Sequence, residues 1–201
     1  GGVVGTTIIS ISNNNIRGIV NAVTASTNHQ YITSGFPGVV QNINNNNFID
    51  ITANTTGNIT MIIEQGDKVA TAVETCNNNS IVTAFNKTGA GGSVYFFYSQ
   101  ASSVDGATIT QTGNNFSNVT LTGATSLTGW YNGDGASSTN APTKTITGNT
   151  FSNITGGTSL INVMHADRSG LNSSVSSNTI SNITGNGNIT GIFYSTSNNQ
   201  G

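Results

Sequence analysis

Charged residues are scarce in this chain of 201 residues, where five Lys or Arg and seven Asp or Glu leave a formal net charge of −2. Nucleic-acid binding needs clustered basic side chains that neutralise phosphates, and the five basic residues are scattered over the whole length. We therefore exclude nucleic acid as a partner. The same scarcity argues against attachment to an anionic membrane. No apolar run approaches the roughly 18 residues of a spanning helix, so we expect no membrane insertion.

Cysteine is almost absent as well. Cys76 is the single cysteine of the chain, which excludes an internal disulfide framework and a zinc site built on cysteine. A lone cysteine can serve as a nucleophile, but Cys76 falls in a periodic column of apolar residues described below. We therefore expect a buried, unreactive thiol.

Asparagine and threonine are abundant instead, with 31 residues of each, and many of them belong to a repeated motif. The motif reads Asn-Thr-Phe-Ser-Asn-Ile-Thr-Gly at 149–156 and Asn-Thr-Ile-Ser-Asn-Ile-Thr-Gly at 178–185. Six copies, some degenerate, begin at Asn14, Asn46, Asn79, Asn114, Asn149 and Asn178. Their spacings of 32, 33, 35, 35 and 29 residues indicate a solenoid, a propeller or a repeat array.

Apolar residues recur in three columns relative to these asparagines. Two residues after each Asn stand Ile16, Phe48, Ile81, Phe116, Phe151 and Ile180. Three residues before it stand Ile11, Ile43, Cys76, Gln111, Ile146 and Val175, with Gln111 as a polar misfit. Three residues beyond the first column stand Ile19, Ile51, Ala84, Val119, Ile154 and Ile183. Short apolar segments between polar turn residues, without helical periodicity, predict β-strands.

The columns divide the chain into six turns of three strands each: 6–37, 38–68, 69–106, 107–142, 143–172 and 173–201. Stacked turns place equivalent strands side by side, so we predict an all-β solenoid wound around a buried core. We expect the six motif asparagines, the ladder asparagines, to stack in one column with their amides hydrogen-bonded between turns. We also expect these asparagines to adopt the unusual backbone angles of a tight corner.

This pattern of Asn-x-Phe/Ile-x-Asn-Ile repeats resembles the right-handed parallel β-helix of pectate-lyase-like proteins and of many bacterial surface proteins. The resemblance covers nearly the whole chain and implies a single β-helix segment over 1–201. It is specific for architecture rather than activity, because the fold serves polysaccharide lyases, hydrolases, phage tailspikes and adhesins. The style of an Asn- and Thr-rich chain with little charge resembles repeat regions of large secreted surface proteins. We therefore expect further coils or domains of the same protein beyond this segment.

The enzymes of the resembled family use a calcium nest of acids with a basic residue, or clustered Asp residues near a His, so calcium is a possible cofactor here. Five acids follow the third strand of their turns, where stacking brings them to one edge: Glu64, Asp67, Asp105, Asp134 and Asp167. The catalytic candidates at that edge are Asp134, His165, Asp167 and Arg168. No catalytic motif of the family matches residue by residue. We expect Asp134 and Asp167 in exposed loops, where replacing both leaves stability nearly unchanged.

Each third strand carries two adjacent apolar residues, such as Trp130 and Tyr131. Side chains alternate between the two faces of a strand, so one of each pair should face outward unless a bend turns both inward. Stacked aromatic rings on a flat β face suit sugar rings or a protein partner. The binding candidates are Tyr98, Trp130, Tyr131 and Phe193.

These observations predict a non-catalytic segment of a secreted or cell-surface bacterial protein, extracellular in location. Its expected role is adhesion, through a surface glycan or a protein partner. Two alternatives stay open: a polysaccharide-degrading β-helix enzyme, and a structural segment of a filament or tailspike.

Overall fold

A computed structural model describes residues 7–137 and 140–194, so Thr6 at the expected start of the first turn and 195–201 of the last turn lie outside the described residues. Within these ranges the regular secondary structure is entirely β-strand. The first three turns contain β1 (Ile8–Ser10), β2 (Asn15–Arg17), β3 (Val20–Ala25), β4 (His29–Ser34), β5 (Val40–Asn42), β6 (Asn47–Ile49), β7 (Ile51–Thr55), β8 (Ile59–Glu64), β9 (Val73–Thr75), β10 (Ser80–Ile81), β11 (Phe85–Lys87) and β12 (Ser93–Ser99). The later turns contain β13 (Thr108–Thr112), β14 (Val119–Leu121), β15 (Ser126–Asn132), β16 (Thr143–Thr147), β17 (Thr150–Thr155), β18 (Ile161–Ala166), β19 (Ser174–Ser176), β20 (Thr179–Thr184) and β21 (Ile189–Tyr194).

The strands form a parallel β-solenoid, as the repeat predicts. The first sheet has the order β1-β5-β9-β13-β16-β19, the second β3-β7-β11-β14-β17-β20 and the third β4-β8-β12-β15-β18-β21. The short strands β2, β6 and β10 form a further sheet before the second one. Six strands stacked in a sheet are joined by five turn-to-turn steps, so the solenoid has about 5 turns, slightly fewer than the six coils expected from the motif count.

The asparagine ladder is present in the predicted register. In each of the five links, one Oδ1 accepts two hydrogen bonds from the ladder asparagine of the preceding turn, one from its backbone N–H and one from its Nδ2. From the second turn onward, each Nδ2 also donates to a backbone carbonyl oxygen of the preceding turn, such as that of Cys76 for Asn114. The ladder therefore satisfies donors and acceptors that would otherwise be buried without partners.

The unusual backbone angles fall one residue earlier than we expected. The residue before each ladder asparagine has a positive φ, and these residues are Asn13, Asn45, Asn78, Gly113, Gly148 and Ser177. Asn and Gly tolerate this left-handed conformation better than most residues, because their short or absent side chains relieve the clash with the backbone. The ladder asparagines themselves are free of that conformation and are held by their hydrogen bonds.

The apolar columns point inward, with one correction. Phe48, Phe116 and Phe151 are fully buried, and the polar misfit Gln111 is in register with Ile146. In the third column, however, Phe85 rather than Ala84 pairs with Ile51 and Val119. The corner before this column has a positive φ in most turns, as at Asp50 and Asn118. The third turn makes the same corner with one extra residue, which moves the inward position from 84 to 85.

The third-sheet strands bend so that two consecutive residues turn inward. Phe96 and Phe97 of β12 are both fully buried, and the following Tyr98 faces outward. The equivalent Trp130 of β15 is 1 % exposed and stacks on Phe97 inside the core, with ring centroids 4.8 Å apart. The prediction that Trp130 contributes to an outer binding face is therefore wrong. Its neighbour Tyr131 is the outward member of that pair.

Candidate functional site

The interior corner that connects the third sheet to the first sheet is polar. The last inward position of the third-sheet strands holds, in register, Ser34, Glu64, Ser99, Asn132 and Ala166. The first inward position of the first sheet holds Gln41, Glu74 and Lys144 in three of its turns. Every one of these polar side chains is buried. The arrangement follows from strand alternation, because Glu74 and Lys144 stand two residues before the apolar Cys76 and Ile146.

Lys68 occupies the centre of this corner. Its Nζ lies 2.8 Å from Glu74 Oε2 and 3.0 Å from Asp134 Oδ2, and it also contacts Glu64 Oε2. It donates a further hydrogen bond of 3.0 Å to the carbonyl oxygen of Gly66. All four charged side chains are 0 % exposed. We call Glu64, Lys68, Glu74 and Asp134 the carboxylate cluster.

Asp134 is therefore not in an exposed loop. Its Oδ1 accepts hydrogen bonds from the Ala101 N–H at 2.8 Å and from the Ser99 hydroxyl, while its Oδ2 faces Lys68. The loop after β15 folds into the solenoid because these donors and the lysine satisfy the buried carboxylate. The prediction of an exposed loop is therefore wrong for Asp134, and we expect its replacement to destabilise the fold, since the buried Ala101 N–H and Ser99 hydroxyl would lose their acceptor.

The protonation of the cluster follows from its burial. Desolvation, followed by repulsion from Glu74, raises the pKa of Glu64 well above its ordinary value, which favours its protonated form. Desolvation acts to lower the pKa of Lys68, but attraction by Glu74, Asp134 and Glu64 outweighs it and raises that pKa. Lys68 is therefore an ammonium among three buried carboxyl groups.

Gln111 links the cluster to the aromatic core. Its Oε1 accepts a hydrogen bond of 2.8 Å from Trp130 Nε1, and its Nε2 lies 3.4 Å from Glu74 Oε1. The misfit in the apolar column thus provides the acceptor that a buried indole N–H requires. The sequence contains a signal for this partner, since the single Trp and the single polar residue of that column lie in one turn.

Two further lysines are buried, each against oxygens. Lys87 Nζ donates to the carbonyl oxygens of Thr55, Gly89 and Gly91, each at 2.6 Å. Lys144 Nζ donates to the carbonyl oxygens of Asn132 and Asp167 at 3.1 and 2.6 Å. Desolvation lowers the pKa of Lys87, and it lowers that of Lys144 to about 8. Among the described residues, neither lysine contacts a side-chain carboxylate as Lys68 does.

The other catalytic candidates lie at the surface, apart from the buried cluster. His165 Nε2 is 3.3 Å from Asp167 Oδ2, and the two side chains are 23 % and 17 % exposed. Arg168 Nη1 donates a hydrogen bond of 3.3 Å to the carbonyl oxygen of Gly135. Burial acts to raise the pKa of Asp167, but the hydrogen bond and charge of His165, with Lys144 and Arg168, lower it. Asp167 is therefore an ionised carboxylate beside a histidine.

The outer face of the third sheet carries an aromatic row made of Tyr98, Tyr131, His165 and Phe193. The rings of Tyr98 and Tyr131 stack with centroids 5.4 Å apart, and His165 lies 4.8 Å from Tyr131 and 4.6 Å from Phe193. Gln100 Nε2 donates to the Tyr131 hydroxyl at 2.9 Å. Three of the four predicted binding residues therefore lie in this row, together with one catalytic candidate, His165.

A groove of about 260 Å³ adjoins the row at Tyr98. Its polar and aromatic lining includes Asn28, Gln30, Asn58, Gln65, Tyr95 and Tyr98. Tyr95 packs edge-on against Tyr98 with centroids 5.1 Å apart. None of the described residues that line the groove is Asp, Glu, Lys or Arg. The groove therefore offers amide donors and acceptors and aromatic surface without a fixed charge.

The carboxylates of Glu64, Glu74 and Asp134 have ligand atoms within 4.8 Å of one another, which is the spacing of a cation site. The ammonium of Lys68 already lies among them and contacts all three. A calcium requirement stays a prediction, because this geometry satisfies the carboxylates with an amino group of the chain.

Comparison with protein-family models, with curated proteins and with solved structures finds no match for this chain. In the described ranges, no helix is long and apolar enough to cross a membrane.

Proposed function

We propose that this chain is a non-catalytic solenoid segment of a secreted or cell-surface protein that binds a neutral glycan on the outer face of its third sheet. The binding surface consists of the groove and the adjoining aromatic row. The observation that carries the proposal is the continuity of amide groups and aromatic rings across Tyr98, which belongs to both.

The chemistry of the groove favours an uncharged sugar. Side-chain amides such as those of Asn28 and Asn58 can donate to and accept from hydroxyl groups, and the rings of Tyr95 and Tyr98 offer apolar surface to the face of a sugar. The carboxylate of an acidic sugar pairs best with Lys or Arg, and the described lining contains neither, its one basic residue being His29. The lining therefore favours a neutral sugar over a uronic acid.

The burial of the carboxylate cluster supports a non-catalytic role. Glycoside hydrolysis uses two carboxyl groups about 5 to 10 Å apart that both reach the substrate. Glu64, whose pKa burial raises well above its ordinary value, is sealed within the solenoid together with Asp134. Asp167 lies beside His165 with 17 % of its side chain exposed, which keeps an enzyme as the second candidate.

Composition supports the proposed location. A chain with 6 % charged residues and abundant Asn and Thr matches the style of surface repeat proteins, and a bacterial adhesin is the type we favour. A protein partner on the same face and a role as a filament segment are the other interpretations of an exposed aromatic row.

Calorimetric titration with neutral and acidic oligosaccharides tests the proposal. We expect binding of a neutral oligosaccharide, a loss of roughly tenfold or more in affinity for Tyr98→Ala, and no change for Tyr194→Ala, an exposed tyrosine outside the row. Release of reducing ends from a polysaccharide would favour the enzyme. Absence of binding across the neutral set would refute the proposal.

A further inference from the structure

Lys68 and Asp134 are held in reacting distance inside the solenoid. Lys68 Nζ lies 3.0 Å from Asp134 Oδ2, and both side chains are fully buried. Lys68 follows β8 and Asp134 follows β15, which are separated by β12 in the third sheet. The amine nitrogen is thus held in contact with the carboxyl group whose carbon it would attack, and such proximity accelerates intramolecular reactions.

The other oxygen of Asp134 is placed against two donors. The Ala101 N–H, at 2.8 Å, and the Ser99 hydroxyl both donate to Oδ1. Two donors on one carboxyl oxygen, with a nucleophile on the opposite side, form the arrangement that stabilises a tetrahedral oxyanion in acyl transfer. The other two carboxylates of the cluster have one donor each on the corresponding oxygen. Glu64 Oε1 accepts a hydrogen bond from the Gly66 N–H, and Glu74 Oε1 has the 3.4 Å contact with Gln111. This arrangement of two donors therefore belongs to Asp134.

We propose that Lys68 and Asp134 form an intramolecular amide bond, with Glu64 transferring protons between them. Nζ attacks Cγ of Asp134, a C–N bond forms, the C–Oδ2 bond breaks, and Oδ2 leaves as water. The two protons of that water come from the ammonium of Lys68, and the third stays on the amide nitrogen. Atoms and electrons balance without an oxidant or any other reactant.

Glu64 is placed to move the protons. Its Oε2 contacts Lys68 Nζ, and its carboxyl oxygens lie within 4.8 Å of those of Asp134. The ammonium of Lys68 first passes one proton to Asp134 Oδ2, which lies 3.0 Å from Nζ, and this leaves a neutral amine beside a carboxylic acid. As Nζ attacks Cγ, the protonated form of Glu64, which burial favours by raising its pKa, donates its proton to the departing oxygen and takes one from the nitrogen.

Burial favours the amide over the ion pair. Two opposite charges kept out of water carry a desolvation penalty, and the amide replaces them with a neutral group. The bond joins positions 66 residues apart and ties the second turn to the fourth. The two turns then cannot separate when the solenoid is stretched or unfolded. This inference does not depend on the glycan site.

The mass of the denatured full chain tests the proposal directly. We expect it to be lower than the sequence mass by one water molecule. Trypsin should then leave the bond after Lys68 uncut but cleave after Lys87, which is also buried yet contacts carbonyl and hydroxyl oxygens. The digest should contain 18–87 joined to 88–144 as one branched peptide.

Variants of the cluster test which residues form the amide bond and which one transfers the protons. Glu64→Gln and Lys68→Arg should restore the full sequence mass, whereas Asp105→Asn, at an exposed acid outside the cluster, should keep the loss of water. Circular dichroism confirms that each variant is folded. An unmodified wild-type mass would overturn the proposal. A loss of water confined to 18–87 would overturn it too, since the bond would then involve Glu64 or Glu74 instead of Asp134.

Discussion

Replacing Asn114 by Ala removes an interior member of the ladder. Its Oδ1 accepts from the Asn79 N–H at 2.9 Å and from Asn79 Nδ2 at 3.1 Å. Its Nδ2 donates to the carbonyl oxygen of Cys76 and to Asn149 Oδ1, both at 2.8 Å. The side chain is fully buried, so water does not replace these partners.

Two of the four partners lose the ladder bond that satisfies them. Asn79 Nδ2 keeps its bond to the carbonyl oxygen of Ile43, and Asn149 Oδ1 keeps the bond from the Asn114 N–H. The N–H of Asn79 and the carbonyl oxygen of Cys76 are left without the side chain that bonds them. At about 1 to 3 kcal/mol for each buried group without a partner, Asn114→Ala should destabilise the fold by roughly 2 to 6 kcal/mol.

Urea unfolding followed by circular dichroism measures this loss. Asn47→Ala is a matched control, because Asn47 is only half-buried and its Nδ2 makes an exposed bond of 2.9 Å to Asn15 Oδ1, while its Oδ1 accepts a bond of 3.0 Å from the Ser80 hydroxyl. We expect the control to lose less than about 1 kcal/mol, since water can replace an exposed bond. Equal losses for Asn114→Ala and Asn47→Ala would refute the assignment of stability to the buried ladder.

Three further predictions concern the interior. Phe151→Ala should destabilise the fold by about 3 to 5 kcal/mol in urea unfolding, because Phe151 is fully buried between Phe96 and Trp130. Burial lowers the pKa of Lys144 from 10.5 to about 8. Between pH 8 and 10.5 the unfolded chain therefore binds more protons than the folded one, so the free energy of unfolding should rise with pH across this range, by up to about 3 kcal/mol. A urea midpoint that rises equally with pH in Lys144→Met would contradict this assignment to Lys144. Burial raises the pKa of the Cys76 thiol, so it should react with a thiol reagent only after unfolding.

The ladder and the parallel sheets could be predicted because both follow from strict periodicity. A fixed offset between each ladder asparagine and a bulky residue, such as Phe151 after Asn149, leaves one register that buries the bulky column. The position of Phe85 could not be predicted in this way, since one extra residue at a corner changes no motif and shifts the strand by one position.

The outer face was partly predictable, and the polar corner was missed. Alternation identifies one outward residue of each third-strand pair but does not say which, and the bend at Phe96 and Phe97 decides in favour of Tyr98 and Tyr131.

Acids after a strand usually lie in solvent, so Asp134 was expected there. Its burial depends on Lys68, which lies two strands away in the third sheet and 66 residues away in sequence. The position of Glu74, two residues before an apolar column, is the signal that would have indicated a charged interior.

The groove is the centre of the proposed binding surface, and side-chain amide resonances can map the binding of a ligand there. We expect titration with a neutral oligosaccharide to shift the NMR amide signals of Asn28, Gln30, Asn58 and Gln65 and the ring signals of Tyr98. The amide signals of Asn118 and Asn153, which form an exposed stack away from the third sheet, should stay unchanged. Shifts at Asn118 and Asn153 with none at the groove would contradict the proposed site.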